Sequence, residues 1–236
     1  MDPDPDLVAA IAGRAREITD RIRAARLAHG LPAEGAQLVA VSKSQPDARI
    51  RAALAAGLRV FGENRLQEAQ VRWRAVKEEI PDLVLHFVGR LQRNKVADVV
   101  ALFDVIHSID RERLIPPLAR AIARQGRMPE LLVQVNTGGE PQKGGVLPGE
   151  LPRLLKALEK ADLPVAGLMC IPPVDDEPAL HFALLKELAR RHGLARLSMG
   201  MSGDYEIAAA CGADYLRVGT ALFGPRLPLQ KRTDAA

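Results

Sequence analysis

The feature that most constrains the fold is a strand-then-helix unit that recurs along almost the whole sequence. Eight short, continuous apolar runs alternate with segments of helical periodicity. Because these runs lack a regular polar alternation, they are typical of parallel strands that are buried on both faces. The predicted strands span residues 37–41, 59–61, 84–88, 103–107, 131–136, 165–169, 196–199 and 215–218.

Eight such units in about 180 residues fit a closed (β/α)8 barrel of the TIM type, within the α/β class. An open, doubly wound sheet is the alternative, but it usually has fewer strands, and no G-x-G-x-x-G segment follows the first strand. We therefore expect one barrel over residues 37–226. An extra N-terminal helix within residues 1–36 would pack on it, and a polar tail would cover residues 227–236.

Composition narrows the classes of function. Aromatic residues make up only 3% of the chain, which argues against a nucleic-acid binder that stacks bases on aromatic side chains. The formal net charge of +4 fits a solvated surface or a preference for small anions. Cys170 and Cys211 are the only cysteines, so neither a disulfide framework nor a thiolate metal site is expected. We expect a cytoplasmic monomer without nucleic-acid, membrane or metal partners, since no long apolar run or unpartnered apolar helix face stands out.

Lys43 is the first candidate for chemistry. Of the eight lysines, it alone directly follows a predicted strand. In a parallel barrel the functional residues gather at the carboxyl ends of the strands. A lysine amine that is shielded from water at that place can form an imine with an aldehyde. The alternative is a surface lysine at a strand end.

The loops after the last two strands are the second candidate. Residues 198–203 and 217–220 contain glycines, hydroxyl side chains and an arginine. Barrels often bind phosphate at this place through backbone N–H groups, to which Ser202, Thr220 and Arg217 would add donors. Ordinary turns, with Ser202 as a helix cap, are the alternative. Together with Lys43, these loops predict a site for a phosphorylated aldehyde.

Asn64 and His86 follow or lie within two further strands. Asn64 could donate to a phenolate oxygen or a phosphate, or it could cap a helix together with Glu63. His86 stands in an apolar run, where a histidine is either a core residue with satisfied hydrogen bonds or a group that stacks on a ligand.

Four stretches resemble the pyridoxal phosphate homeostasis family, and the resemblance runs from about residue 37 to residue 226. They are Ala40-Val41-Ser42-Lys43, Phe61-Gly62-Glu63-Asn64, His86-Phe87-Val88-Gly89, and Leu197-Ser198-Met199-Gly200-Met201-Ser202 continuing to Arg217-Val218-Gly219-Thr220 and Arg226. Two residues depart from the family pattern, because Arg90 stands where a proline is usual and Arg93 where a small residue is common.

The resemblance implies the type III fold of pyridoxal-phosphate proteins, like the N-terminal domain of alanine racemase. Lys43 matches the lysine that carries pyridoxal 5'-phosphate as a covalent aldimine. Arg217 matches the residue that faces the pyridine nitrogen. Asn64 and His86 match residues close to the cofactor, and the phosphate-binding segment is matched by Met201, Ser202, Gly219 and Thr220.

These features predict a carrier and buffer that supplies apo-enzymes with the cofactor, rather than an enzyme with catalytic residues. An arginine at the pyridine nitrogen disfavours the pyridinium and so weakens carbanion stabilisation. We also expect no second domain that would contribute an acid or base. The alternatives are a small amino-acid racemase or lyase of the same fold, and a barrel for another phosphorylated metabolite. Lys95 and Lys143 could take up a second cofactor molecule, although solvated lysines are the simpler interpretation.

Overall fold

The computed structural model describes residues 3–225 and contains a closed, all-parallel barrel with strands in chain order from β1 to β8. The first and last strands pair directly, from Gln37 opposite Tyr215 to Ala40 opposite Val218, and this pairing closes the sheet. The predicted (β/α)8 fold is therefore confirmed. The strands are β1 (Gln37–Val41), β2 (Val60–Glu63), β3 (Val84–Phe87), β4 (Val105–Ile109), β5 (Glu130–Gln134), β6 (Val165–Met169), β7 (Arg196–Ser198) and β8 (Tyr215–Val218).

Helices separate the strands and cover the outside of the barrel. Single turns of 3₁₀ helix, Arg93–Lys95, Glu112–Leu114 and Pro148–Glu150, lead into three of them. Among the helices within residues 3–225, none combines the length and the apolar character that crossing a membrane requires. They are α1 (Pro5–Ala28), α2 (Asp47–Ala55), α3 (Leu66–Glu79), α4 (Val96–Leu102), α5 (Ile115–Gln125), α6 (Leu151–Glu159), α7 (Pro178–Arg191), α8 (Tyr205–Ala210) and α9 (Thr220–Phe223).

Helix α1 precedes the barrel and packs against α2, α8 and α9. Its apolar stripe buries Ile11, Ile18 and Ile22, which recur at helical spacing. Two arginines of this helix bond backbone carbonyls on either side of β8: Arg14 Nε donates to the Leu222 carbonyl at 2.6 Å, and Arg26 donates to the Ala213 carbonyl at 3.1 Å. The division at residue 36 stays a prediction, and the predicted tail over 227–236 lies outside the described residues.

Strand β4 begins two residues later than predicted and runs through Ile109. Phe103 is not part of it, because its N–H closes α4 on the Val99 carbonyl and its ring packs on Phe87 in the core between helices and strands. At the other end the strand continues beyond the predicted His107 through Ser108, and both of these polar residues are buried. The apolar run therefore places both ends of this strand two residues too early.

The inside of the barrel has an apolar part and a polar part. Val39, Val105, Leu132 and Tyr215 form a small buried cluster, separate from the larger core under the helices. Along β8 the residues alternate, so that Tyr215 and Arg217 belong to the interior while Leu216 and Val218 join the outer core. Arg217 thereby brings a charge towards the carboxyl end of the barrel.

Candidate functional site

A cavity of about 420 Å³ opens among the loops that follow the strands. This volume lies within the range of about 300–1,000 Å³ that is usual for small-molecule sites. Residues after β1, β2, β3, β6, β7 and β8 line the cavity, so it marks the carboxyl mouth of the barrel. Seven of the eight predicted cofactor residues meet there: Lys43, Asn64, Met201, Ser202, Arg217, Gly219 and Thr220.

The sequence analysis did not single out the apolar walls of this cavity as site residues. Val41, Val88 and Ile171 provide them, together with the backbone of Gly89 and Gly203. Apolar walls with a few convergent polar groups are typical of a pocket for a small organic ligand. A larger cavity, of about 750 Å³, lies between α6 and α7 at the start of β6, and none of the predicted site residues lines it.

The chain turns sharply immediately after Lys43. Ser44 has a φ of 59°, in the left-handed region that residues other than glycine seldom adopt. On the other side of Lys43, the buried Ser42 Oγ donates to Glu63 Oε1 at 2.7 Å. Lys43 therefore stands between a strained turn and an anchored strand end, which restricts the direction in which its side chain leaves the barrel.

Glu63 is the anchor of that strand end. The residue is fully buried, and its Oε1 also accepts from Arg72 at 2.8 Å and from Trp73 Nε1 at 3.0 Å. A buried carboxylate needs such donors, because an unpaired one would cost several kcal/mol. Glu63 thus ties β1, β2 and α3 together behind Lys43. The alternative in which Glu63 caps a helix gains no support, since the cap position of α3 is Arg65.

The loops after β7 and β8 interlock through backbone contacts. Gly200 has a φ of 86°, and a Cβ there would lie 2.5 Å from the Ala208 Cβ, so glycine is required. Its carbonyl accepts the Arg217 N–H at 3.0 Å. Ser202 Oγ accepts the N–H groups of Gly219 at 3.2 Å and Ala221 at 3.3 Å. Two backbone donors thus converge on one oxygen, which is the arrangement that an oxyanion prefers.

These contacts test the interpretation of Ser202 as a cap of the following helix. A cap of α8 would bond that helix's own first N–H groups, whereas the cap position of α8 is Asp204 and Ser202 bonds the loop after β8. The interpretation of Ser202 as a cap of the following helix is therefore wrong. Ser202, Gly219 and the exposed Thr220 instead form one polar edge of the cavity, which we call the oxyanion cradle.

Arg217 places a guanidinium group at the bottom of the cavity. The residue is 5% exposed, and its two terminal nitrogens donate to Ser198 Oγ at 2.6 Å and to the Cys170 carbonyl at 2.8 Å. Both partners are neutral, and burial lowers the pKa of Arg217. Arginine nevertheless stays protonated in proteins. Its charge therefore favours an anionic or electron-rich ligand atom in the cavity.

A chain of hydrogen bonds runs from Arg217 into the barrel. Ser198 Oγ accepts from the arginine, so its own proton is available for His107 Nδ1, 2.8 Å away. His107 Nε2 and His86 Nδ1 share the next hydrogen bond, also at 2.8 Å. The chain thus leads from Arg217 to His86, whose buried Nε2 has no partner within the described residues. The sequence analysis missed His107 and did not assign Ser198 a role, because their connection appears only in three dimensions.

The structure places His86 below the cavity, not on its wall. Its ring contacts those of His107 and Tyr215 at centroid distances of 5.0 Å. Burial lowers the pKa of His86 to about 4, and burial together with His86 and Arg217 holds the pKa of His107 well below its usual range. Both imidazoles are therefore neutral at pH 7, as the hydrogen-bond chain requires.

Asn64 contributes an acceptor to the cavity wall. Its Oδ1 is buried and has no hydrogen bond within residues 3–225. The backbone of Gly89 lies against it so closely that a Cβ on Gly89 would come within 2.1 Å of the Asn64 carbonyl oxygen. A buried acceptor without a partner is costly, so a donor from a ligand would stabilise this side chain. The helix-cap interpretation of Asn64 gains no support, since Arg65 occupies that position.

The assembled groups fit a phosphorylated aldehyde. An amine, a cradle of N–H and hydroxyl groups and a buried cation line the same cavity. In the described part of the chain, no group of three or more His, Cys, Asp or Glu side chains is placed so that it could hold a metal ion. Fold and site together define an alanine-racemase-like barrel with a lysine at its mouth.

Comparison with known proteins agrees with this class. The alanine racemase N-terminal domain family matches residues 15–227. A protein of Pseudomonas aeruginosa called pyridoxal phosphate homeostasis protein is 43% identical over 226 residues, which cover 92% of this chain and 96% of the relative. The chain belongs to this family of pyridoxal phosphate homeostasis proteins, which confirms the resemblance seen in the sequence.

Solved structures extend the comparison. PipY of Synechococcus elongatus without pyridoxal phosphate is 41% identical, with a TM-score of 0.75 over 88% of this chain and 100% of that one. A second PipY structure contains bound pyridoxal phosphate and gives 40% identity and a TM-score of 0.70 over the same shares of the two chains. Alanine racemase of Streptomyces coelicolor shares the fold at 23% identity, with a TM-score of 0.69 over 91% of this chain and 58% of the racemase.

The buried histidines predict how stability depends on pH. An unfolded chain protonates histidine near pH 6.5, whereas folded His86 has a pKa of about 4, so protons favour the unfolded state below pH 6.5. Protonation of the unfolded chain should therefore lower the free energy of unfolding by roughly 3 kcal/mol as the pH falls from 6.5 towards 4. The free energy of unfolding, measured with urea between pH 7.5 and 4, should fall with falling pH, and His86→Asn should reduce the slope of this fall. His29→Asn, at an exposed position, should leave the slope unchanged, and equal slopes in all three proteins would contradict the assignment.

Proposed function

We propose that this chain binds pyridoxal 5'-phosphate at the barrel mouth, holds it as an aldimine on Lys43, and acts as a carrier that supplies apo-enzymes. The observation that carries the proposal is that Lys43 and the oxyanion cradle line one cavity of small-molecule size. The bound group would supply an aldehyde carbon for the amine and a phosphate for the cradle. Bound pyridoxal phosphate in the related PipY structure supports this choice of ligand.

Each side chain has a distinct part in this proposal. The Lys43 amine would hold the aldehyde carbon, and the N–H groups that converge on Ser202 would share their protons with phosphate oxygens. Gly219 lets the loop approach closely, since a Cβ there would already lie 3.3 Å from the Val41 carbonyl oxygen. Asn64 and Arg217 would contact the ring, while His86 would act only through the hydrogen-bond chain that begins at Arg217.

The shortage of acid–base groups on the cavity wall favours a carrier over an enzyme. Among the described residues that line the cavity, none except Lys43 is of a type that commonly acts as a general acid or base. Arg217 donates and cannot take a proton, so it would leave a pyridine nitrogen unprotonated. An unprotonated ring is a poor electron sink, and this limits chemistry at a substrate carbon.

The cell compartment and the assembly state belong to the same proposal. Cys170 and Cys211 are both free thiols, and burial raises the pKa of Cys170 to about 12, which keeps it unreactive. Free thiols support a reducing compartment, and a carrier must share a compartment with the apo-enzymes that it supplies. We therefore propose a cytoplasmic monomer.

Replacing Lys43 tests the covalent link. In Lys43→Ala the absorbance band of the aldimine near the visible range should disappear after addition of pyridoxal phosphate, because no amine of the cavity wall remains to form it. Lys160→Ala removes an exposed lysine after α6 and should keep the band. Absorbance titration checks both variants, and an unchanged spectrum in Lys43→Ala would remove this residue from the role.

Replacing Ser202 tests the oxyanion cradle. Ser202→Ala should lower the affinity for pyridoxal phosphate by roughly tenfold, since one polar contact to the charged phosphate is lost or rearranged. The affinity for pyridoxal, which has no phosphate, should stay the same, and the ratio of the two dissociation constants isolates the effect. Thr19→Ala, on α1, is the control. A parallel loss for both ligands would assign Ser202 to the general shape of the cavity instead.

A small amino-acid racemase is the second candidate, and the fold shared with alanine racemase favours it. This alternative predicts that purified protein exchanges the α-proton of L-alanine with D₂O much faster than free pyridoxal phosphate does, and that Lys43→Ala abolishes the exchange. The carrier proposal predicts exchange no faster than with the free cofactor. Proton NMR distinguishes the two outcomes directly.

A further inference from the structure

A second pocket, of about 390 Å³, lies beside the cofactor cavity. We call it the basic pocket, because its charged lining residues are Arg65, Arg90 and Lys95, and no carboxylate lines it. Leu66 and Phe87 also line it but are almost wholly buried, each 3% exposed. Three cations without a carboxylate among them suit an anionic ligand.

The basic pocket shares a wall with the cofactor cavity. Asn64 lines both, and the consecutive residues Gly89 and Arg90 line one each. The close approach of Gly89 to the Asn64 backbone forms the partition between them. A ligand in the basic pocket would therefore stand next to the mouth of the barrel, within reach of the same loops.

The charges of this pocket are available for a ligand. Within residues 3–225, the side chains of Arg90 and Lys95 have neither an ion pair nor a hydrogen bond, and only Arg65 is paired, with Glu68 at 2.9 Å. Lys143 differs, because its amine contacts Glu140 at 2.6 Å and the Pro172 carbonyl at 3.1 Å. Of the two lysines considered for a second ligand, the structure therefore favours Lys95.

We propose that the basic pocket binds a phosphate monoester, namely a second molecule of the phosphorylated ligand that enters or leaves the cofactor cavity. The identity of this ligand rests on the proposed function. Arg90 is central, since it lines the pocket and supplies a guanidinium fork for phosphate. Binding should weaken as salt is added, because all three cations are at least partly exposed.

The test first blocks the cofactor cavity. Full-length protein is loaded with pyridoxal phosphate and treated with borohydride, whose hydride adds to the carbon of the C=N bond and leaves a stable secondary amine on Lys43. Calorimetric titration with pyridoxine 5'-phosphate, which has no aldehyde, should then show one further site per chain. Arg90→Ala/Lys95→Ala should weaken this site at least about tenfold. Arg93→Ala, on the same loop but outside the pocket, should not change it.

The possible outcomes separate the two proposals. Mass spectrometry after borohydride reports the link to Lys43 independently, and the titration can be repeated on Lys43→Ala if that link is absent. No second site, or a site that the double variant leaves unchanged, would overturn the proposal. Displacement by polyglutamate but not by inorganic phosphate would also overturn it, since the surface would then fit an acidic protein segment.

Discussion

The pairing of β1 with β8 is the constraint on which the rest of the structure depends. It brings residues from opposite ends of the chain into register, with Ala40 opposite Val218. Lys43 and the oxyanion cradle lie just beyond this pair, so closure of the barrel is also assembly of the cavity. The two loops approach through Gly219, where any side chain would crowd the Val41 carbonyl. An open sheet of the same strands would leave the amine and the cradle at separate edges.

Inside the barrel, polar groups are arranged around one buried cation. Arg217 has neutral partners, and the chain through Ser198 and His107 ends on a neutral His86. A guanidinium is always a donor, so Ser198 Oγ accepts from it and keeps its own proton for another hydrogen bond. The low dielectric of the interior strengthens both the chain and the attraction of the cation for a ligand. Because the imidazoles of His86 and His107 are neutral, Arg217 carries the one positive charge in this hydrogen-bond chain.

The order of apolar and reactive residues along the chain was enough to predict most of the fold and many of the residues that line the candidate site. Continuous apolar runs gave the strands, because a barrel buries both faces of its sheet. Lys43 stood out because it alone of the eight lysines directly follows such a run. The polar interior was harder to predict. The predicted strand ends at the polar residue His107, whereas β4 continues through Ser108 to Ile109. Glu63 looks like a helix cap, although its partners are Ser42 after β1 and two residues of α3, which only folding brings together.

The contacts of α1 bear on how the protein is made. Arg14 bonds the carbonyl of Leu222, and Arg217 belongs to the last strand, so the first helix and the final segment depend on each other. Ribosomes release the N-terminal part first, and domains fold as their residues emerge. A nascent chain that lacks β8 has neither a closed sheet nor a buried guanidinium. Lys43 would stay exposed to solvent in such a chain, and the cavity at the barrel mouth would form only after β8 has emerged from the ribosome.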